Sequence, residues 1–328
     1  MNTQFEVAEA LKQIALDEEI KAYVLEHPPL YHSLLQAALR FIGGETLAQC
    51  VDNAKSLNQQ GFAVTIDYMG ESTRDVQMAE QATQEFLNAI AAIVTHNLNS
   101  SVSLDLSHIG MAIDPELGYK NAGILAKAAR EAGLEMMISM EGTDRTSSIL
   151  EIHHRLCETF DNVGITLQAY LHRTPADLES VLQRPGKIRL VKGAYAAPAH
   201  LAKACGAELD SSYRQLMARL LASGHPCSIA THDPALLDPS LEYAHKFIQE
   251  QGIEPDNIEF EMLKGVTPER LRAMQEYGYR TRVYLPYGRE WHLYLCNRLA
   301  EYPQNIYQAI TDAVKDKYDL SKHPLTQN

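Results

Sequence analysis

Polar and aromatic side chains recur at the ends of short β-branched segments: Asp67, Asp105, Ser139, Gln168, Lys192, Tyr195, Thr231, His232, Glu261, Lys264 and Tyr284. Acids, hydroxyls, an imidazole and cations at strand tips can orient a polar ligand, move a proton or face an anion. The stretch RLVKGAY (Arg189 to Tyr195) sets two cations beside Gly193 and Ala194, so a ligand can approach the backbone while charge faces its anionic part. IATHD (Ile229 to Asp233) places the Thr231 hydroxyl next to the His232 imidazole. In SVSLDLS (Ser101 to Ser107), alternation puts Val102, Leu104 and Leu106 on one face and Ser103, Asp105 and Ser107 on the other. The polar face then lines a mouth or, alternatively, a solvated rim. His153 and His154 lie in a helical run with no partner at metal spacing and are expected at the surface; no H-x-x-x-H occurs, so no metal site is expected.

The segments that carry these tips are Phe62 to Gly70, Ser101 to Ser107, Glu135 to Met140, Val163 to Tyr170, Lys187 to Tyr195, Cys227 to Asp233, Ile258 to Leu263 and Arg280 to Gly288. Between them run stretches such as NAGILAKAAREAG and SYRQLMARLLASG, with apolar residues at helical spacing and a closing Gly. Strand and helix alternating eight times predicts an α/β fold, a (βα)8 barrel, with its site at the C-terminal ends of the strands. An open doubly wound sheet is the competing arrangement, but no G-x-G-x-x-G follows the first strand. The expected division is an N-terminal helical arm over 1–61, a barrel over 62–303, and a C-terminal helix and tail over 304–328.

The 328 residues carry 29 Lys and Arg against 42 Asp and Glu, a formal charge of −13. Such a balance repels phosphate backbones and anionic lipid, so nucleic acid is not an expected partner. Five cysteines without a C-x-x-C pair read as thiols of a reducing compartment. With no basic, apolar leader and no apolar run of about 20 residues, a cytoplasmic protein without an integral membrane segment is expected.

RFIGGET (Arg40 to Thr46), LQAYLHRT (Leu167 to Thr174), RLVKGAY, ATHD, FEMLKG (Phe260 to Gly265), VYLPYGREW (Val283 to Trp291) and NRLAEYPQN (Asn297 to Asn305) together resemble the bacterial monofunctional proline dehydrogenase family. The resemblance runs in order from Arg40 to Asn305. It implies an FAD-dependent (βα)8 barrel in which hydride passes from the carbon beside the ring nitrogen of L-proline to the flavin, with an electron acceptor such as a quinone. It assigns FAD contacts to Gln168, Arg189, Lys192, Gly193, Ala194, Thr231 and His232. Tyr195, Tyr284 and Leu263 would wall the substrate pocket, and Glu301 would brace an arginine, Arg298.

The substrate cage departs from that pattern. Asp105 stands where the family has Lys, Ser139 where it has Asp, Asn297 where it has the first of two arginines, and Glu261 and Lys264 where it has Gln and Tyr. A charge-assisted bond to a carboxylate is worth about 1.5–3 kcal/mol, so losing two of three cations predicts proline binding weaker by roughly two to four orders of magnitude unless Lys264 supplies the charge. Asp105 could instead accept the amine proton, directly or through water, or simply pair with Arg298 or Lys264. Three further readings stand beside a proline-like imino acid or cyclic amine as substrate: a different amine lacking the proline carboxylate contacts, a flavin-binding barrel without turnover, and a flavin-free enzyme that holds a phosphorylated metabolite through Arg189 and Lys192.

Overall fold

The computed structural model describes residues 3–193, 195–232, 244–253, 255–301 and 305–314. Its helices are α1 (Thr3–Leu16), α2 (Glu18–Glu26), α3 (Pro28–Ala38), α4 (Leu47–Gln59), α5 (Val76–Thr95), α6 (Pro115–Glu131), α7 (Thr146–Cys157), α8 (Thr174–Val181), α9 (Ala207–Ala222), α10 (described over 244–251), α11 (Pro268–Glu276), α12 (Trp291–Glu301) and α13 (Asn305–Val314). The strands are β1 (Ala63–Tyr68), β2 (Ser100–Leu104), β3 (Met136–Ile138), β4 (Val163–Gln168), β5 (Ile188–Val191), β6 (Cys227–Ala230), β7 (Ile258–Leu263) and β8 (Arg280–Tyr287). They pair in sequence order into a closed barrel, with parallel registers such as Val64↔Ser100 and Leu263↔Tyr284. Parallel neighbours need a crossover, and the helices between strands supply it.

Several strands end earlier than their polar tips suggest. The ladder of β5 stops at Val191, and Asp105, Ser139 and Lys192 fall just past the ends of β2, β3 and β5. These residues still read as strand in the sequence because alternation continues beyond the last paired position. The helices follow simpler rules. In α5 the Asp75 carboxylate caps the start, accepting from Met78 N at 2.9 Å, and Ala79, Ala82, Phe86, Ala89, Ile90 and Ile93 form the buried stripe.

His153 corrects an expectation. It is buried, in a stripe with Ile149, Ile152 and Leu156 on α7, with Cys157 Sγ 3.3 Å from its Nε2. Burial pushes its pKa down to about 4, with the neighbouring His154 adding to the effect. Spacing of three and four residues from the apolar positions decides its place; the absence of a metal partner does not. His154 is half-buried.

Packing divides the chain into two units, Met1–Cys50 with Pro286–Asn328, and Val51–Leu285. In the first, α1 packs on α12 and α3 on α13, with Arg40 Nε 2.6 Å from Asp312 Oδ2 and Lys21 Nζ 2.7 Å from Glu290 Oε2. Trp291 is buried there, edge-on to Tyr31 and donating from Nε1 to Glu45 at 3.2 Å.

The second unit holds a barrel interior that is polar, where most such barrels are filled with branched apolar residues. At the N-terminal end of the strands, Glu259 accepts from Arg282 Nε at 2.9 Å and from Lys187 Nζ at 3.1 Å, and Lys187 also reaches Glu135 at 2.7 Å. One layer up, Glu261 accepts from Thr65 and Ser228, each at 2.9 Å. The apolar partners in each alternation, such as Val64, Ile66, Val102 and Leu104, are buried on the other face.

Candidate active site

The C-terminal mouth of the barrel is built from strand tips and the loops that follow them. Arg189, on β5, is 5% exposed and reaches across the interior: Nε donates to Thr166 at 2.9 Å, Nη2 to Ser103 and Ser139 at 3.2 Å each, and Nη1 to Glu261 at 3.4 Å. Its guanidinium lies 5.2 Å from the Tyr284 ring centroid. Ser103 and Ser139 hydroxyls are 3.1 Å apart. One cation thus ties β2, β3, β4, β5 and β7 beneath the mouth.

Above that layer sit carboxyls. Tyr284 on β8 donates its hydroxyl to Asp67 Oδ2 on β1. Burial raises the Asp67 pKa to about 6, against the opposing pull of the Tyr284 bond and Arg189. Asp105, half-buried just after β2, is pushed well above the usual carboxylate range by desolvation, then by Glu141, Asp67 and Glu71, and a hydrogen bond with Ser139 offsets part of this. Glu71 is raised by desolvation and by Glu141, while Arg145 and a hydrogen bond from Tyr195 pull it down. Tyr195 and Tyr284 are themselves pushed up by burial and by the neighbouring acids, so both phenols stay protonated.

The remaining residues singled out in the sequence fall as follows. Gln168, at the end of β4, is buried and donates Nε2 to the Glu141 carbonyl at 3.0 Å. Lys192 Nζ lies 2.9 Å from Asp210 Oδ1 on α9. Gly193 has φ +106°, and a Cβ there would come within 2.2 Å of the Tyr170 ring, so this turn over Tyr170 admits only glycine without strain. Thr231 is buried and His232 half-buried just past β6. Leu263 is half-buried, and Lys264 N donates to the Tyr284 carbonyl at 3.0 Å. Ala194 and Asp233 lie outside the described residues. In the other unit, α12 carries Asn297, Arg298 and Glu301; Arg298 Nη2 donates to Glu301 Oε1 at 2.6 Å and the guanidinium stacks 5.0 Å from Tyr294.

Sequence reasoning left out Glu71, Glu141 and Arg145, which join the mouth from loops after β1 and β3. The available signal was an acid or a base within a few residues of a strand end, in DYMGE and SMEGTDR. Among the described residues, no three His, Cys, Asp or Glu side chains gather in a metal-binding group. None of the described helices is long and apolar enough to cross a membrane.

A closed parallel barrel with cations, amide and hydroxyl donors and carboxyls of raised pKa at its C-terminal mouth defines a (βα)8 enzyme-type site that takes a polar ligand. The family model described as proline dehydrogenase matches residues 50–306, and the chain belongs to that family. It is 35% identical over 270 residues to proline dehydrogenase 2 of Bacillus subtilis, covering 82% of this chain and 88% of that protein. It is 33% identical over 273 residues to the proline dehydrogenase of Deinococcus radiodurans, covering 82% and 87%. Proline utilization A from Bdellovibrio bacteriovorus, solved after inactivation by N-propargylglycine, shares the fold at a TM-score of 0.73 and 19% identity over 87% of this chain; the match spans 36% of that longer chain.

Proposed function

We propose that the protein is an FAD-dependent oxidoreductase acting on a CH–NH bond, converting L-proline to 1-pyrroline-5-carboxylate in the cytoplasm, with a quinone-type molecule as the electron acceptor. What carries this reading is the family match across the barrel, together with 33–35% identity to monofunctional bacterial relatives over 82% of the chain. The comparisons favour proline over a different amine and over a barrel without turnover.

The residues present fit a flavin dinucleotide. The Tyr170 hydroxyl is buried without a hydrogen-bond partner among the described residues, and it belongs to the ring over which the Gly193 turn is laid. An orphaned donor beside a close-approach glycine and the cation Lys192 suits a large anionic ligand. Bound there, FAD supplies the hydride acceptor. Gln168, Arg189, Lys192, Gly193, Ala194, Thr231 and His232 are assigned to hold it. Tyr195, Leu263 and Tyr284 are assigned to enclose the substrate ring. The resemblance alone assigns the carboxylate to Arg298, braced by Glu301.

Asp105 takes the proton of the substrate amine. An amine must lose its proton before its lone pair can assist hydride departure, and a carboxylate held above its usual pKa is a better base near neutral pH. Asp67, Glu71 and Glu141 surround it with like charge, Ser139 donates to it, and Tyr195 and Tyr284 stay neutral beside it.

The test is anaerobic bleaching of the purified yellow protein by L-proline and, separately, pyrrolidine. L-proline bleaches at the lower concentration if the reading holds. Bleaching by pyrrolidine alone moves the substrate to an amine without the carboxylate. A colourless protein that takes up no added FAD overturns the flavoenzyme reading.

A further inference from the structure

We propose that Arg145 is a positioning residue that sets the substrate wall of the mouth through a closed ring of hydrogen bonds across the first three strand–helix loops. The proposal rests on the reading above.

The ring has four members. Arg145 Nη1 donates to Glu141 Oε2 at 2.6 Å, and Ser107 N donates to Glu141 Oε1 at 3.0 Å. Ser72 N donates to Ser107 Oγ at 2.8 Å, and Arg145 Nη2 closes the circuit on Ser72 Oγ at 2.8 Å. Thr73 N adds a bond to the Ser107 carbonyl at 3.2 Å. Glu141 and Ser107 are fully buried, so the bonds they make are shielded from competing water, while the closing bond from Arg145 to Ser72 is part-buried.

Ser72 shows what the ring does. Its φ is +56°, a left-handed backbone that a non-glycine residue adopts only when its surroundings hold it there. Both its N–H and its hydroxyl are consumed by the ring. The residue before it is Glu71, whose carboxylate accepts from the Tyr195 hydroxyl in the loop after β5. The twist at Ser72 therefore aims Glu71 at Tyr195, one of the residues assigned to the substrate wall. The Glu141 carbonyl separately holds Gln168, so cofactor and substrate residues share one anchor, but only the substrate side depends on Arg145.

The test compares Arg145→Met, Arg145→Lys and Ser72→Ala with the unaltered holoenzyme. In Arg145→Met the half-saturating proline concentration rises about tenfold or more, the limiting rate of flavin reduction stays within about threefold, and the flavin spectrum is unchanged. Arg145→Lys regains part of the loss, because an ammonium can reach one acceptor of the ring at a time. Two readouts need no substrate: amide exchange at Ser72 and Thr73 rises about tenfold, and hydroxyl-radical labelling of Tyr195 increases. Ser72→Ala removes only the hydroxyl, gives the same pattern at smaller size, and serves if Arg145→Met does not fold. Unchanged exchange and labelling overturn the proposal whatever the substrate is. So does a limiting rate that falls together with flavin content, the pattern of a purely structural role. Failure of proline to bleach the unaltered protein strikes the functional reading instead, and the substrate-free readouts still decide this one.

Discussion

Two ends of one barrel handle buried carboxyls in opposite ways. At the floor, burial works to raise Glu259, but Arg282 and Lys187 outweigh it and hold the carboxyl below its ordinary range. At the mouth, Asp67 meets the Tyr284 hydroxyl and the Arg189 guanidinium, Asp105 meets the Ser139 hydroxyl and three other carboxyls, and burial wins. Both ends take carboxyls out of water, and the ratio of cations to acids around them differs. A floor so compensated contributes to holding the barrel closed, whereas a mouth short of cations keeps protons available near neutral pH for transfer.

The largest effect comes from breaking the floor. Glu259→Leu leaves Lys187 and Arg282 buried without their shared carboxylate, and the expected loss is about 3–5 kcal/mol of unfolding free energy in urea. A loss under about 1 kcal/mol means the floor is not the compensated network described. The mouth gives the converse result. The Asp67 pKa is about 6 in the folded chain and 3.8 in the reference state, so the folded form binds the extra proton between these values. Stability is then greatest below about pH 4 as far as this group is concerned, and about 2–4 kcal/mol is lost as pH rises through 6. Asp67→Asn keeps an acceptor for Tyr284 and removes that slope; denaturation midpoints at pH 4 and pH 7 measure it, and an unchanged slope contradicts the assignment.

His153 sharpens the comparison, since it is buried and makes no ion pair among the described residues. Its pKa of about 4 lies below the unfolded value of 6.5, so stability present above pH 6.5 is lost as pH falls toward 4. His153→Leu should flatten that acid limb by about 2–4 kcal/mol, read by the same titration. The smallest effect tests a single contact: Lys192→Ala should weaken FAD retention by about ten- to a hundredfold, measured by ultrafiltration of the free flavin. Equal retention would remove Lys192 from the cofactor site.

The barrel was legible because each strand segment carries a period-two pattern and each connection a helical one, and both are local properties. The mouth was legible in part. Asp105 and Gln168 stand at strand ends and can be picked out by position alone, whereas Tyr284 lies inside β8. The bond between Tyr284 and Asp67 joins residues 217 apart, and no local pattern announces it. Glu71, Ser72, Glu141 and Arg145 were missed for the same reason, because their arrangement depends on one left-handed serine and on loops that meet only after the strands close. His153 was misjudged by asking for a metal partner when the apolar stripe around it already placed it inside.

The most direct test of the central claim is the pH dependence of flavin reduction by L-proline, followed anaerobically by stopped-flow absorbance in the unaltered protein and in Asp105→Asn. The account predicts bleaching by L-proline at a rate that falls on acidification with an apparent pKa above the usual carboxylate range, and loss of that limb in Asp105→Asn with a slower plateau. No bleaching by L-proline, or the same pH profile in both proteins, would contradict it.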